Sequence, residues 1–160
     1  IKRATDSRYT HVGVVFVERG IPYVYEANGP VNKTPLKKWI ARGLPRKKPH
    51  HVRKRLRDRS GLDYARLRNA VGKFMGKRYD RAFNWSDNKI YCSELVWKAY
   101  HRAFDIEVGD LKQVRDFNLK DPLVKKDLKK RYKGKIPYDM TVISPADMFR
   151  SDLLITVTQD

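Results

Sequence analysis

Two short runs near the start of the chain carry the hydrophobic pattern of strands. Residues 11–17, HVGVVFV, and residues 22–27, PYVYEA, are rich in β-branched and aromatic side chains, which favours a half-buried sheet. The segment between them contains Arg19-Gly20, a pair that fits a two-residue hairpin turn. The pattern therefore predicts an antiparallel hairpin, and the NGP sequence at 28–30 is expected to end its second strand.

The remainder of the chain shows helical spacing interrupted by polar and basic loops. Apolar residues recur at helical intervals in 62–75 and again in 92–104, which predicts two amphipathic helices. Start signals predict three shorter helices: one over 34–43 with Thr34 as N-cap and Gly43 at its end, one beginning at Asp121-Pro122, and one at the SPAD capping box of 144–147. Residues 50–57 and 153–158 are predicted as an edge strand and a closing strand.

This order of elements predicts an α+β fold, with a small and largely antiparallel sheet packed against helices. The chain has 160 residues, a length typical of a single domain with one core. Neither a repeat nor a boundary between domains is visible in the pattern. We therefore expect one domain over residues 1–160.

Charge and cysteine content narrow the classes of partner. The chain has 36 Lys+Arg against 18 Asp+Glu, a net charge of +18, which favours anionic surroundings. The basic clusters at 44–59 and 125–135 lack the aromatic interleaving of single-strand readers and match no named motif. They predict either a solvated basic face or a basic surface that binds an anionic partner, and no specific nucleic-acid partner is expected. The single cysteine excludes an internal disulfide.

That cysteine, Cys92, is the first candidate for chemistry. A lone cysteine in an amphipathic helix is more often a small buried residue than a nucleophile. Cys92 follows the non-helical WSDNKIY sequence and begins the helical pattern. The free N–H groups and positive dipole of a helix start favour a thiolate and a developing oxyanion. Glu94, a carboxylate two positions later, opposes that effect unless it points elsewhere.

The hairpin supplies a base and an orienting group. His11 is the first residue of an apolar strand, where a polar ring is unusual and suggests a functional role. A histidine exposed to solvent at the end of the strand is the competing interpretation. A two-residue turn at Arg19-Gly20 places Gly13 opposite Glu26 and Asn28 opposite His11. Glu26 then lies diagonal to His11 on the same face, within side-chain reach. A Cys–His pair needs a third group to fix the ring, and either Glu26 or Asn28 is in place to supply it.

Other catalytic chemistries lack support in the sequence. His50 and His51 are adjacent on a predicted strand and point to opposite faces, and neither CxxC nor HExxH occurs, which argues against zinc. A serine nucleophile has no elbow motif behind it. The loop before Cys92 contributes aromatic candidates for the walls of a substrate pocket, with core packing as the alternative for each: Tyr79, Trp85 and Tyr91.

The motifs in order resemble the YiiX-like permuted papain-like amidases, circularly permuted relatives of the NlpC-type cell-wall peptidases. The resemblance is carried by SRYTHVGVVF, PYVYEANGPVNKTPLKKWIARG, GKRYD, WSDNKIYCSELVWKAY and IPYDMTVISPADMF. It runs from about Ser7 to the last strand. It implies a papain-like fold, with Cys92 as nucleophile, His11 as base and Glu26 as the orienting residue. The permutation accounts for a histidine that precedes the cysteine.

The resemblance also implies what the protein acts on. We expect a cysteine amidase or peptidase that cleaves a small peptide or other amide, such as one of cell-wall type, without metal or cofactor, in the cell envelope. Lipid acyltransferases and thioesterases of the same fold are one alternative, and a non-enzymatic module that binds nucleic acid or anionic lipid is another. Family members carry an upstream Gly-Asp and an apolar strand, so we expect either that one strand of the sheet lies outside this sequence or that the sheet lacks this strand. Oligomeric state is left open.

Overall fold

The computed structural model describes residues 1–42 and 50–157. Gly43, the basic segment 44–49 and Thr158 lie outside the described residues, and so do the predictions made for them. The strands and helices are, in chain order, β1 (Val14–Glu18), β2 (Ile21–Ala27), β3 (Val31–Pro35), α1 (Leu36–Ala41), β4 (Lys54–Leu56), α2 (Tyr64–Gly72), β5 (Arg78–Tyr79), β6 (Lys89–Ile90), α3 (Cys92–Phe104), β7 (Lys112–Gln113), α4 (Pro122–Arg131), β8 (Thr141–Val142), α5 (Pro145–Phe149) and β9 (Leu154–Thr156).

The predicted hairpin is confirmed together with its register. β1 and β2 are antiparallel, with Val15 opposite Val24 and Val17 opposite Pro22. The turn is Arg19-Gly20, with φ of 49° and 79°, values that suit the twist of a two-residue hairpin. The first strand begins later than predicted, at Val14, so His11 lies just before it.

The third strand of this sheet was not predicted. β3 pairs antiparallel with β2, giving the order β1-β2-β3. Asn28-Gly29-Pro30 ends β2, as predicted, and forms the turn to β3 in the same sheet. Thr34 as helix cap is wrong: it lies on β3, Pro35 precedes the first turn of α1, and no side chain caps that turn. The Thr34 hydroxyl is instead used by a buried carboxylate in the adjacent strand.

The helices form the layer behind the sheet. α3 begins at Cys92, and its first eight residues are all buried, because α2, α5 and the sheet surround it. Leu67 and Val71 of α2 and Leu95 of α3 share one apolar core with Phe16 and Tyr25 of the sheet. The helix signals at Asp121-Pro122 and in SPAD are confirmed: Asp121 and Ser144 cap α4 and α5.

The strands do not form one sheet. Three pairs of short strands stand apart from β1-β2-β3 among the described residues: β4 with β9, β5 with β6, and β7 with β8. The β5–β6 pair is parallel, and it lies in a segment that the sequence pattern indicated only as a polar loop. A second, smaller core under α4 holds Val114, Val124 and Leu128. Among the described helices, none has the length and apolar character needed to cross a bilayer.

Candidate active site

The centre of the candidate site is a fully buried carboxylate on the middle strand. Glu26 has no exposed surface. His11 Nε2 lies 2.6 Å from its Oε2, and Trp39 Nε1 donates to the same oxygen at 3.0 Å. Thr34 donates to Oε1 at 2.7 Å, and the Arg42 guanidinium bonds both oxygens at 2.7 Å. Every lone-pair direction of the carboxylate is therefore close to a donor.

These partners keep Glu26 ionised in spite of its burial. Burial raises the pKa of Glu26, but the hydrogen bonds from His11, Arg42 and Thr34 outweigh it and lower the pKa to about 2. The carboxylate therefore keeps its negative charge well below neutral pH. A permanent negative charge beside an imidazole supports its protonated form.

The pKa of His11 depends on the charge of Glu26 and on the Cys92 thiol. Burial lowers the pKa of His11, while hydrogen bonds and charge from Cys92 and Glu26 raise it, and the balance lies at about 9. Since Nε2 faces Glu26, Nδ1 is the ring nitrogen left for an interaction with Cys92. Trp39 lies alongside, with ring centroids 6.1 Å apart. The histidine is thus fixed on one side by a carboxylate and faces the cysteine with the other.

Gly13 makes room for this arrangement. A Cβ at Gly13 would overlap the Val24 side chain, approach the Tyr25 carbonyl oxygen to 2.9 Å and approach Glu26 Cβ to 3.3 Å. Only glycine permits the two strands to come this close opposite Glu26. The proximity of His11 to Glu26 follows from this contact and from the hairpin register.

Cys92 lies at the first position of α3, and only 2% of it is exposed. Tyr91 precedes the helix in an extended conformation, and its carbonyl accepts the first helical hydrogen bond from Leu95, at 3.0 Å. The amide of Cys92 therefore belongs to the free N–H groups of a helix start. Tyr79 is the second neighbour of the thiol: burial, followed by the charge of Cys92 and a hydrogen bond with it, raises the pKa of Tyr79.

The three aromatic candidates have different surroundings. Tyr79 is half-buried and reaches Cys92. Tyr91 is buried, and its hydroxyl accepts a hydrogen bond from the amide of Ile143 at 3.2 Å, which fits the packing alternative. Trp85 contacts Trp97 and lies 4.9 Å from Lys98 Nζ, one to two turns along α3 from the thiol. The side chain of Tyr79 therefore lies at the site, whereas those of Tyr91 and Trp85 pack against other residues.

A groove opens on the other side of His11. Its volume is about 960 Å³, and its walls include every residue of 11–17 and of 51–56. Because a strand face contributes only alternate residues, these consecutive runs show that strand edges line the groove. Cys92 is not among the lining residues in the described part of the chain, so the groove reaches the imidazole rather than the sulfur.

The geometry can be compared with known proteins. Residues 1–158 match the family described as permuted papain-like amidase enzymes, YaeF/YiiX, C92 family. The chain belongs to this family. The resemblance seen in the sequence motifs, and the papain-like α+β fold that it implied, are therefore confirmed. The class of enzyme to which the family is assigned is an amidase or peptidase with a papain-like fold.

Two relatives from Escherichia coli agree with the assignment. The chain is 39% identical over 161 residues to "Uncharacterized protein YiiX" of strain K12, a match that covers all of this chain and 78% of the relative. It is 41% identical to a solved chain titled "Crystal structure of metalloprotein yiiX from Escherichia coli O157:H7", with a TM-score of 0.90 over 99% of this chain and 87% of that one.

The word metalloprotein in that title raises the question of whether these residues could hold a metal ion. Within residues 1–42 and 50–157, no group of three or more His, Cys, Asp or Glu side chains is placed to do so. Glu26 already accepts hydrogen bonds from four side chains. The described residues thus do not fit a protein-bound metal of that kind.

Sequence reasoning missed the residues that hold Glu26. Thr34, Trp39 and Arg42 were grouped as one predicted helix, with Thr34 as its cap, and none of them was connected to Glu26. The available signal was physical: a glutamate within an apolar strand needs a cation nearby, and Trp39 and Arg42 are three positions apart on one helix face. The sequence does not single out Arg42, however, because Lys33, Lys37 and Lys38 lie nearer to Glu26 along the chain.

Proposed function

We propose that this protein is a cysteine amidase or peptidase that acts through Cys92, His11 and Glu26. The observation that carries the proposal is the short contact of 2.6 Å between His11 Nε2 and the buried Glu26, combined with a helix that begins at Cys92. A nucleophile, a base and an orienting group in this order form a functional triad irrespective of sequence position.

The raised pKa of His11, about 9, favours a stored ion pair over a neutral base. At neutral pH the ring is protonated and has no lone pair with which to accept the thiol proton. The productive resting state is then a Cys92 thiolate beside a His11 imidazolium, with Glu26 as the counter-charge. The first step needs no proton transfer, and His11 begins the cycle as the acid.

In the proposed cycle the Cys92 thiolate attacks the amide carbon, and the carbonyl electrons move to oxygen. The Cys92 amide at the helix start donates to that oxyanion. The carbon–nitrogen bond breaks while Nδ1 of His11 gives its proton to the amine, which leaves. Neutral His11 then takes a proton from water, hydroxide adds to the thioester, and collapse releases the acid and the thiolate. His11 is protonated again at the end.

The same cycle serves esters and thioesters, so the substrate must be found by comparison. Activity-based profiling with peptidoglycan fragments and acyl thioesters, side by side, is the most informative experiment. We expect turnover of the amide fragments, with a covalent acyl adduct on the only cysteine in the chain. Faster turnover of acyl thioesters would instead favour the acyltransferase or thioesterase function.

We also propose that the basic surface attaches the protein to an anionic layer. Exposed lysines of α4 lie together at the start of the 125–135 cluster: Lys125, Lys126, Lys129 and Lys130. The cluster is remote in sequence from His11, Glu26 and Cys92. Its role would be to set where the enzyme resides rather than how it reacts.

A further inference from the structure

A second buried carboxylate lies at the start of the nucleophile helix and has no part in the cycle above. Glu94, at the third position of α3, is completely buried. A side chain two positions after Cys92 was expected to point elsewhere. It turns back instead: its Oε2 accepts a hydrogen bond from the amide of Tyr91, the residue before Cys92, at 3.4 Å.

The partner of Glu94 is equally unusual, because it is a buried lysine. Lys98 is 5% exposed, and its Nζ lies 2.7 Å from Glu94 Oε1. The same ammonium donates to the carbonyl of Ser86 and to Asp87 Oδ1, each at 3.0 Å, and lies 4.9 Å from the ring of Trp85. Lys98 therefore connects the start of α3 to the loop that precedes the nucleophile.

We infer that Glu94 and Lys98 are a positioning pair for the nucleophile: Glu94 fixes the backbone before Cys92, and Lys98 holds Glu94 against the Trp85–Asp87 loop. This inference rests on the proposed function, because it assigns the pair to the reactivity of Cys92. It adds that the charge on Glu94 modulates Cys92 through the start of the helix, because Glu94 Oε2 holds the Tyr91 amide, the backbone group immediately before Cys92.

Within the Glu94–Lys98 pair, the positive charge of Lys98 does not offset the full effect of burial on Glu94. Burial raises the pKa of Glu94 to about 7, and Lys98 opposes this rise only in part. Lys98 also serves Asp87, which Arg102 bonds through both oxygens at 2.8 and 2.7 Å. Asp80, 2% exposed, adds a like charge, and its Oδ2 has no hydrogen-bond partner among the described residues. The hydroxyl of Tyr91 is a further titratable neighbour, because burial and the charge of Glu94 both raise the pKa of Tyr91.

The consequence is a site that changes with pH. Below neutral pH Glu94 is protonated and its influence on Cys92 is that of a neutral cap. Above neutral pH it is ionised and opposes the thiolate. Substitution by glutamine retains the shape and one acceptor oxygen but fixes the neutral state at every pH.

The test measures the rate of Cys92 alkylation by iodoacetamide against pH. The wild-type profile should contain an inflection near pH 7 that Glu94→Gln lacks. The two should coincide on the acid side and diverge on the alkaline side, with the variant about three- to tenfold faster, as expected for a removed and partly screened like charge. Lys98→Met should move the divergence to higher pH, because loss of the cation raises the pKa of Glu94, and Lys98→Arg should restore it.

Glu107→Gln is the matched control, because Glu107 is exposed and the charge change is identical. Circular dichroism establishes that each variant is folded. Profiles of wild type and Glu94→Gln that coincide at every pH would overturn the inference and leave Glu94 as a packing group. If Cys92→Ala retained turnover, the proposed function itself would fail, so the two failures are distinguishable.

Discussion

Two fully buried glutamates flank the candidate site, one beside the histidine and one beside the cysteine, and their ionisation is opposite. The pKa of Glu26 is about 2 and that of Glu94 about 7, although neither has exposed surface. Burial therefore does not decide the charge of either group. The number of hydrogen-bonding partners and the sign of the neighbouring charges decide whether each glutamate is ionised.

The partners of the two carboxylates differ in one decisive respect. Glu26 receives hydrogen bonds from Thr34, Trp39 and Arg42 in addition to His11, and no acidic side chain is among its contacts. Glu94 has one cation, which it shares with Asp87, and it feels a like charge from Asp80. A buried charge is stable only when its neighbours satisfy it completely. The fold thus fixes charge on the histidine side and leaves it adjustable on the cysteine side.

The largest effect is expected at the residue between the two carboxylates. Cys92→Ala should abolish hydrolysis of any confirmed substrate, because no thiolate remains, while the loss of stability stays small for so minor a change in volume. The pKa of His11 should fall as well, since Cys92 contributes to its increase. Turnover assays and a histidine titration by NMR measure these outcomes. Wild-type turnover in the variant would refute the nucleophile, and a loss of several kcal/mol would favour a packing role.

The next largest effect should come from the fixed charge. Glu26→Gln keeps the size and one acceptor oxygen but leaves Arg42 and protonated His11 without their counter-charge, at an expected cost of about 3 kcal/mol in unfolding free energy. The pKa of His11 should fall because an opposite charge is gone. Alkylation of Cys92 and turnover should then decrease together, by roughly ten- to a hundredfold at neutral pH.

Asn28→Ala is the control for that experiment. Asn28 is exposed, whereas Glu26 is in direct contact with His11, so the alanine variant should change the alkylation profile far less. An unshifted profile for Glu26→Gln beside a shifted one for Asn28→Ala would make Asn28 the third member of the triad.

The histidine side of this comparison was accessible from sequence, because strand register is a local property. A two-residue turn determines every cross-strand pair, so the meeting of His11 with Glu26 could be predicted from the position of Arg19-Gly20. The proximity of His11 to Cys92 could not, since it joins a hairpin to a helix about 80 residues away. Only the family resemblance connected them.

The cysteine side was less accessible for a different reason. A helical pattern gives the face on which Glu94 lies but not whether that face is covered, and the first eight residues of α3 are buried on every face. The charged residues Glu94 and Lys98 made the helix resemble an amphipathic surface helix. Short strands were missed on similar grounds: two-residue strands such as β5 carry no periodicity, and they exist because a partner lies beside them.

Stability against pH offers a smaller effect that still separates the two carboxylates. The pKa of Glu26 is lowered from 4.5 to about 2, so its stabilisation is present above 4.5 and is lost as the pH falls through 2. The pKa of Glu94 is raised from 4.5 to about 7, so its contribution is present below 4.5 and is lost as the pH rises through 7. Glu26→Gln should therefore be most destabilised at neutral pH.

Glu94→Gln should behave in the opposite way. Relative to wild type, its stability should increase between pH 4.5 and pH 7, by up to about 3 kcal/mol, because glutamine never has to carry a buried charge. Urea unfolding of the two variants at several pH values measures both trends. Parallel curves for the two variants would mean that the two surroundings are equivalent, and the comparison above would be wrong.

The smallest effect on chemistry should come from charges that lie outside both surroundings. Lys125, Lys126, Lys129 and Lys130 are exposed on α4, and none of them is among the main causes that shift the pKa of Glu26, Glu94 or His11. Reversing them to glutamate should weaken binding to anionic vesicles, with a shallower salt dependence. Turnover of a small neutral substrate should remain at the wild-type level, because solvent screens these charges from the buried carboxylates Glu26 and Glu94. Reversal of Lys37 and Lys38 on α1, next to the Glu26 cluster, changes the net charge by the same amount as reversal of Lys125 and Lys126 alone, and this pair of variants tests whether position rather than net charge matters. If the α4 variant lost turnover as severely as the α1 variant, the long-range field of the protein would govern the site, and the local account of both glutamates would have to be abandoned.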